Sequence, residues 1–145
     1  MIEFRPFKAG HLSYLNPQPA QRREHAVLVR SGAVELLESN VALSGWCGST
    51  CLGAAGLIPV RPHRAVAWMI LSEEIGPYML PIVRKVRRVL SAVPYKRIEL
   101  TVSADFEAGH HFARLLGARC ETPEPMRFYG ADGGDEMMYA IIRET

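Results

Sequence analysis

The sequence has few cysteines, little net charge and no long apolar run, and each shortage excludes a class of protein. Its three cysteines, Cys47, Cys51 and Cys120, are an odd number at irregular spacing and do not indicate a disulfide framework. A net charge of +2 gives no electrostatic case for a nucleic-acid-binding protein. No apolar run approaches the roughly 20 residues of a membrane-spanning helix. The opening MIEFRPF lacks the apolar core of a signal peptide, so we expect a reducing, intracellular setting.

The composition that is present is that of an ordinary folded domain. Hydrophobic residues make up 48% of the 145 residues and charged residues 22%, which is enough apolar side chain for one compact core. We therefore expect a single domain over residues 1–145. Cys47 and Cys51 flank the turn Gly48-Ser49-Thr50, which leaves a disulfide or metal pair as an alternative to free thiols. Because stable zinc sites need about four ligands, we expect free thiols and no metal.

The first half of the chain predicts one strand, two helical segments and an antiparallel meander. Two prolines in Asn16–Pro19 separate the helical segments, because proline resists both helix and strand. The predicted elements are strand Met1–Phe7, helices Lys8–Leu15 and Ala20–Ser39, and strands Val41–Trp46, Cys51–Ile58 and Ala65–Leu71. The last of these is continuously apolar, as expected for a central strand buried on both faces.

The pattern then changes to alternating helices and strands. After the loop Ser72–Pro77, the apolar residues of Tyr78–Val93 repeat at helical spacing. The opposite face of this helix carries four cations, Arg84, Lys85, Arg87 and Arg88. Such a face is either simply solvated or meets phosphate. Strand Arg97–Val102 follows, and a right-handed crossover should place it parallel to and beside Ala65–Leu71.

The remaining residues predict a third helix and a closing hairpin. Ser103 or Asp105 can cap the helix, and Gly117 is placed to end it. Its apolar face is predicted to hold Ala108, Phe112, Leu115 and Leu116. The last predicted strands are one that starts at Arg119–Cys120, Met126–Tyr129 and Glu136–Arg143, with the glycine-rich turn Gly130–Gly134 between the last two. Together these elements predict an α/β (α+β) fold with a mixed sheet of about seven strands and about four helices.

This order of elements resembles that of the GNAT acetyltransferase fold. The segment ELTVSADFEAGHHFARLLGARCE is similar to the GNAT unit in which a small polar loop leads into a helix of the form Ala-x-x-x-Tyr-x-x-x-x-Gly-Phe. The matching residues are Asp105, Ala108, Phe112, Gly117 and Ala118. The tail MRFYGADGGDEMMYAIIRE is similar to the closing hairpin of the same fold. The strand AVAWMIL followed by the basic VRKVRRVL also resembles small GNAT-like proteins of tailed phages, some of them internal virion or head-assembly proteins.

The resemblance implies a site for acyl-CoA. In the GNAT family the cofactor lies between two splayed parallel strands, here Ala65–Leu71 and Arg97–Val102, with its pyrophosphate on N–H groups at the start of the next helix. Carried over, the cofactor contacts are Ile70, Leu71, Gly76, Tyr78, Asp105 and Phe112. The loop departs from the family's Arg/Gln-x-x-Gly-x-Gly/Ala pattern. Pro77 lacks an N–H, and Glu73 and Glu74 repel phosphate, so we expect weak acetyl-CoA binding or none.

The resemblance also implies catalytic roles that this chain fills imperfectly. Many family members have a proton-donating tyrosine at the position of Phe112, and phenylalanine cannot replace it. The remaining candidates are Glu73, Glu74 and Glu99 as bases and His111 or His110 as a substitute acid, each of which also fits an ordinary surface or packed side chain. Two hypotheses stay open: an acyl-CoA-dependent N-acyltransferase, and a non-catalytic virion or assembly protein.

The second hypothesis carries expectations about partners and place. The phage resemblance implies a protein of the host cytoplasm that is incorporated in the virion and contacts other phage structural proteins. No membrane partner is expected. Nucleic acid would have only the basic helix face Arg84–Arg88 to bind.

Overall fold

The computed structural model describes residues 1–30, 37–38 and 41–144. Its strands are β1 Glu3–Pro6, β2 Ala42–Cys47, β3 Thr50–Arg61, β4 Arg64–Leu71, β5 Arg97–Ser103, β6 Arg119–Cys120 and β7 Glu136–Ile142. They form one mixed sheet in the order β1-β2-β3-β4-β5-β7-β6. The α-helices are α1 Arg22–Arg30, α2 Met79–Ala92 and α3 Glu107–Leu115, and short 3₁₀ helices span Ala9–Tyr14, Pro19–Gln21 and Glu73–Tyr78. The predicted α/β fold is confirmed.

Strands β4 and β5 are adjacent and parallel, as the crossover predicts. Arg64, Ala65 and Val66 of β4 lie opposite Arg97, Ile98 and Glu99 of β5. The other neighbour of β5 is β7, which pairs with it in antiparallel register from Arg97↔Ile142 to Ser103↔Glu136. The amphipathic helix α2 forms the connection between the two parallel strands, and Pro81 lies in its first turn, where proline is tolerated.

The chain divides into two compact units, each with its own apolar core. The first unit is Met1–Ile58 with Ala67–Ile82, and the second is Pro59–Val66 with Val83–Thr145. Buried residues of a core cluster in the first unit are Phe7, Leu12, Leu37 and Ala54. Those of the core cluster in the second unit are Val102, Ala113, Ala118 and Tyr139. No helix among the described residues is long and apolar enough to span a membrane.

Several predicted elements differ from those observed. The predicted helix Ala20–Ser39 is helical from Pro19 to Arg30, and residues 31–36 and 39 lie outside the described residues. The predicted loop Ser72–Pro77 is largely a 3₁₀ helix. Strand β4 is buried at its ends but only partly buried from Val66 to Met69, so it is not the fully buried strand that its composition predicts.

The closing part of the chain needs three corrections. Met126–Tyr129 is not a strand, because only Met126 bridges to β7 and Phe128 has a φ of 58°, which no strand residue adopts. Helix α3 has Phe106 at its N-cap without a side-chain bond, so neither Ser103 nor Asp105 caps it. Ala108 and Leu115 are exposed while His110 and Ala113 are buried, so the apolar face lies to one side of the predicted one. Gly117 ends the helix as predicted, with a φ of 88°.

Candidate functional site

The connection from β4 to α2 is built on a fully buried serine. Ser72 precedes the 3₁₀ helix Glu73–Tyr78 and its N–H donates to the carbonyl of Leu52 at 2.9 Å. Its Oγ accepts the N–H of Glu74 at 3.0 Å, and its hydroxyl donates to Oε2 of Glu74 at 2.8 Å. This reciprocal cap fixes both the backbone and the carboxylate of Glu74. The sequence interpretation missed Ser72, although serine is a favoured N-cap residue at a helix start.

The N–H groups that begin this connection are bonded to the protein itself. The N–H of Glu73 donates to the carbonyl of Asn16 at 2.9 Å, and that of Ile75 to the carbonyl of Ser72 at 3.2 Å. With Glu74 bonded to Ser72 Oγ and Pro77 carrying no N–H, the first turn has few donors left to offer. An anion at a helix start needs such donors. Binding one here therefore requires the protein to release bonds that it already has.

The free edge of β4 within the first unit is bonded to two glutamines. Gln21 Nε2 donates to the carbonyl of Met69 at 2.9 Å, and the N–H of Leu71 donates to Gln21 Oε1 at 2.8 Å. The backbone N–H of Gln18 donates to the carbonyl of Leu71 at 2.9 Å. Residues two apart in a strand point their polar groups to the same edge, so these three bonds occupy one continuous edge. A ligand lying along β4 there would compete with them.

Both candidate bases of the connection have partners. Glu73 Oε1 lies 2.7 Å from Nη2 of Arg22, and both side chains are well exposed. Such an exposed pair contributes little stability, although it offsets the charge of Glu73. Glu74 accepts from Ser72 and is held beside a pocket. Gly76 is exposed, with open space where a Cβ would lie, so nothing in the structure requires glycine there.

A pocket of about 280 Å³ lies beside the connection, within the first unit. It is lined by Cys47, Thr50, Leu52, Glu74 and Tyr78. The Tyr78 hydroxyl donates to Cys47 Sγ at 3.3 Å, and this bond raises the pKa of Tyr78. The pocket thus joins a carboxylate to a phenol that stays protonated at neutral pH. These are the two kinds of group that general acid–base chemistry needs.

The other predicted site residues belong to the second unit. Asp105 and His111 are exposed, whereas Phe112 is buried. The neighbouring His110, the alternative acid, is buried, and each of its ring nitrogens lies within hydrogen-bonding distance of a partner. Its Nε2 lies 2.9 Å from the carbonyl of Ala104 and its Nδ1 lies 2.8 Å from the Tyr139 hydroxyl. Because a carbonyl only accepts, Nε2 donates to Ala104, and Nδ1 pairs with the Tyr139 hydroxyl, so both ring nitrogens are used within the protein and His110 has a structural role.

Glu99, another carboxylate that the sequence offers as a base, lies in an ion-pair cluster. Its oxygens lie 3.3 Å from Nε of Arg64 and 2.9 Å from Nε of Arg97. Arg97 also donates to Glu121, and this hydrogen bond lowers the pKa of Glu121 and raises that of Arg97. Both carboxylate oxygens of Glu99 are thus engaged by guanidinium groups, and the cluster belongs wholly to the second unit.

Comparisons with known proteins identify the fold. The ribosomal-protein-S5-alanine acetyltransferase of Vibrio fischeri superposes with a TM-score of 0.66 at 16% identity, covering 99% of this chain and 93% of its own. A protein of Salmonella typhimurium solved with its cofactor acetyl-CoA has a TM-score of 0.69 at 9% identity, covering 99% and 95%. A GNAT-family acetyltransferase of Bacillus anthracis superposes with a TM-score of 0.66 at 11% identity, covering 99% of this chain and 96% of its own. The chain has the GNAT fold.

The likeness to these GNAT structures is one of backbone and not of sequence. No protein-family model matches the chain, and no curated protein matches its sequence. At identities of 9–16% the superpositions establish the fold, and a fold hosts many functions. What this GNAT domain does must therefore be argued from its own residues.

Proposed function

We propose that this chain is a GNAT-fold protein that works through contacts with other proteins and does not transfer acyl groups. The virion or assembly role is the class suggested by its resemblance to phage GNAT-like proteins. One observation carries the proposal: the polar backbone groups of the β4 edge and of the following turn are bonded to Gln18, Gln21, Asn16 and Ser72. In the GNAT family, acyl-CoA uses this strand and this turn.

Energetics support the same conclusion. A hydrogen bond within a protein is worth a net ~0.5–1.5 kcal/mol, and a ligand that displaces several of them must repay each. Every 1.4 kcal/mol corresponds to about a tenfold change in affinity. The carboxylates of Glu73 and Glu74 add repulsion toward a pyrophosphate, which Arg22 offsets only at the exposed Glu73. Acyl-CoA should therefore bind weakly or not at all.

The phenylalanine at position 112 also argues against acyl transfer. GNAT enzymes commonly use a tyrosine hydroxyl there to protonate the leaving thiolate, and Phe112 has none. Its side chain is only 7% exposed, so it serves the packing of α3. His111, the substitute named from sequence, is exposed.

The second candidate function is acyl-CoA-dependent N-acyl transfer. It is favoured by the pocket in which Glu74 and Tyr78 lie together. It is also favoured by a fold neighbour solved with acetyl-CoA. In such an enzyme, Glu74 would accept the proton of an attacking amine and Tyr78 would donate one to the leaving thiolate. The two candidates differ in whether acetyl-CoA binds.

A thermal-shift titration with acetyl-CoA decides between them. Ligand that binds only the folded state stabilises it by RT ln(1 + [L]/Kd), so a ligand with a low-micromolar Kd raises the melting temperature clearly at ~100 μM. We expect no shift at that concentration. A clear upward shift at low micromolar acetyl-CoA contradicts the proposal and supports the enzyme.

Two matched variants make the titration sharper. Gln21→Ala frees the carbonyl of Met69 and the N–H of Leu71, so it should strengthen any residual binding by up to about tenfold. Gln18→Ala is its control, because Gln18 bonds through its backbone N–H. Should the parent protein bind, Glu73→Gln and Glu74→Gln are expected to strengthen binding by removing repulsion. Weaker binding by either variant would instead imply a productive role for that carboxylate, which an assay of acetyl transfer would then test as that of the base.

A further inference from the structure

The connection between β6 and β7 presents two adjacent aromatic side chains to solvent. Phe128 is 75% exposed and Tyr129 is 54% exposed. Both belong to the second unit, whereas the β4–α2 connection belongs to the first. Phenylalanine and tyrosine are costly to leave in water and are enriched at the centres of protein interfaces. We call residues 124–136 the aromatic loop.

The aromatic loop is held in one conformation by its own bonds. Phe128 has a φ of 58°, which is unfavourable for a residue with a side chain, and its N–H donates to Asp135 Oδ1 at 3.1 Å. The N–H of Gly130 donates to the carbonyl of Gly134 at 2.9 Å. A Cβ on Gly130 would lie 2.7 Å from Glu136 Oε2. Strained backbone of this kind is concentrated at functional sites. A loop fixed before binding loses little entropy on binding.

The net charge of the aromatic loop is negative. Its carboxylates are Glu124, Asp132, Asp135 and Glu136, against the single guanidinium of Arg127. Arg127 lies over the Phe128 ring, with its guanidinium carbon 5.6 Å from the ring centroid. The partner that fits is therefore a basic surface that also offers apolar area.

Such a surface exists on this same chain, on the outer side of α2. Arg84, Arg87 and Arg88 are exposed, and none of them forms an ion pair with any residue that the structure describes. Arg87 Nη1 donates to the carbonyl of Leu115 at 3.4 Å, and the Leu115 side chain is 41% exposed. We call these four residues the basic face.

We propose that the aromatic loop of one copy of this chain docks on the basic face of a second copy. Charge complementarity argues for this partner, since four carboxylates share the loop with the aromatic pair and α2 presents three exposed guanidinium groups, one of which is bonded to the carbonyl of Leu115. The contact joins two different surfaces, so each copy carries both halves of it. This inference rests on the proposed function and names the partner through which the protein acts.

Sedimentation analysis over a range of protein and salt concentrations tests the contact first. The mass should rise above the 16.1 kDa of one chain at high protein concentration in low salt. It should return to that value near 1 M salt, because the Debye length falls from about 10 Å at 0.1 M to about 3 Å. A parent protein that stays monomeric at all concentrations overturns the inference.

A mixing experiment then tests which surfaces meet. The loop variant carries Phe128→Ala and Tyr129→Ala, and the helix variant carries Arg84→Glu and Arg88→Glu. Each should be monomeric alone, while their mixture should form a one-to-one complex through the one intact loop and the one intact face. The matched charge control carries Arg23→Glu and Arg30→Glu on exposed positions of α1 and should associate like the parent. Circular dichroism establishes that each variant is folded.

The remaining outcomes are also decisive. Variants that associate like the parent, or a mixture that stays monomeric, overturn the inference. A parent that does not self-associate could still be retained on DNA in a salt-sensitive way that the helix variant loses. That result would assign the basic face to nucleic acid and would also overturn the inference. A monomeric parent that ignores acetyl-CoA contradicts this inference and leaves the proposed function standing. A self-associating parent that binds acetyl-CoA at low micromolar concentration contradicts the proposed function and leaves the contact standing.

Discussion

Replacing Phe112 by alanine should lower the free energy of unfolding by about 3–5 kcal/mol. The ring is 7% exposed, on the buried side of α3. Its removal takes apolar area back to water and leaves a cavity, and both effects destabilise the folded state. Urea denaturation followed by circular dichroism measures the change.

Leu115→Ala is the control for Phe112→Ala, since Leu115 lies on the same helix but is 41% exposed. It should cost less than about 1 kcal/mol, because most of its side chain is already in water. A cost below about 1 kcal/mol for Phe112→Ala would mean that the ring does not support the core. In that case Phe112 would again be open to a role in ligand binding.

Replacing Arg143 by alanine should lower the free energy of unfolding by about 3 kcal/mol. Charge-assisted hydrogen bonds contribute ~1.5–3 kcal/mol each, but the contributions of several bonds from one side chain do not add up fully. The guanidinium donates to the carbonyls of Leu90, Val93 and Tyr95, where α2 ends and the chain turns toward β5. Without it, the carbonyl of Leu90 in the last turn of α2 and those of Val93 and Tyr95 after the helix lose this partner. The measurement is again urea denaturation.

Arg143→Lys separates the charge from the shape of the guanidinium. Lysine keeps the positive charge but has one ammonium group in place of the planar fork, so it should recover less than half of the loss. Arg88→Ala, an exposed arginine of α2, should change stability by less than about 0.5 kcal/mol. Equal stability of Arg143→Ala and Arg88→Ala would contradict the bonding at the end of α2.

The sequence predicts the centre of this fold well because the signals there are local. The helical spacing of α2 and the alternation of β5 are typical of elements with one buried face, and the apolar run of β4 predicts a strand, although that strand is only partly buried from Val66 to Met69. Their parallel pairing then follows from chain connectivity. Gly117 likewise predicts the end of α3, because the left-handed φ of 88° at this position favours glycine.

The sequence does not predict features that depend on distant contacts. Gln21 bonds to Met69 and Leu71, about fifty positions away, and nothing near Gln21 in the chain indicates this. The run Met126–Tyr129 has the composition of a strand, but Asp135 holds Phe128 in a conformation that a strand excludes. His110 is buried and pairs with Tyr139, 29 positions away, a contact that the sequence around His110 does not indicate.

Under the proposed function, the glutamine and serine bonds along β4 take the place that an acyl-CoA ligand has in GNAT enzymes. The sheet and its crossover helix are stabilised by burial, which does not need a cofactor. In that case the edge groups that a cofactor would use are satisfied by Gln18, Gln21 and Ser72 instead. The aromatic loop and the basic face remain as surfaces for protein contacts.

The most direct measurement is an amide NMR titration with acetyl-CoA. The N–H groups of Leu71, Glu73, Glu74 and Ile75 are bonded within the protein, so their resonances should stay unchanged up to about 100 μM acetyl-CoA, where a ligand with a low-micromolar Kd would saturate its site. Their hydrogen exchange should also be slow, as expected for bonded amides. Shifts of these four resonances that saturate at low micromolar acetyl-CoA would show that the cofactor displaces the internal bonds, and would contradict the loss of the acyl-CoA site.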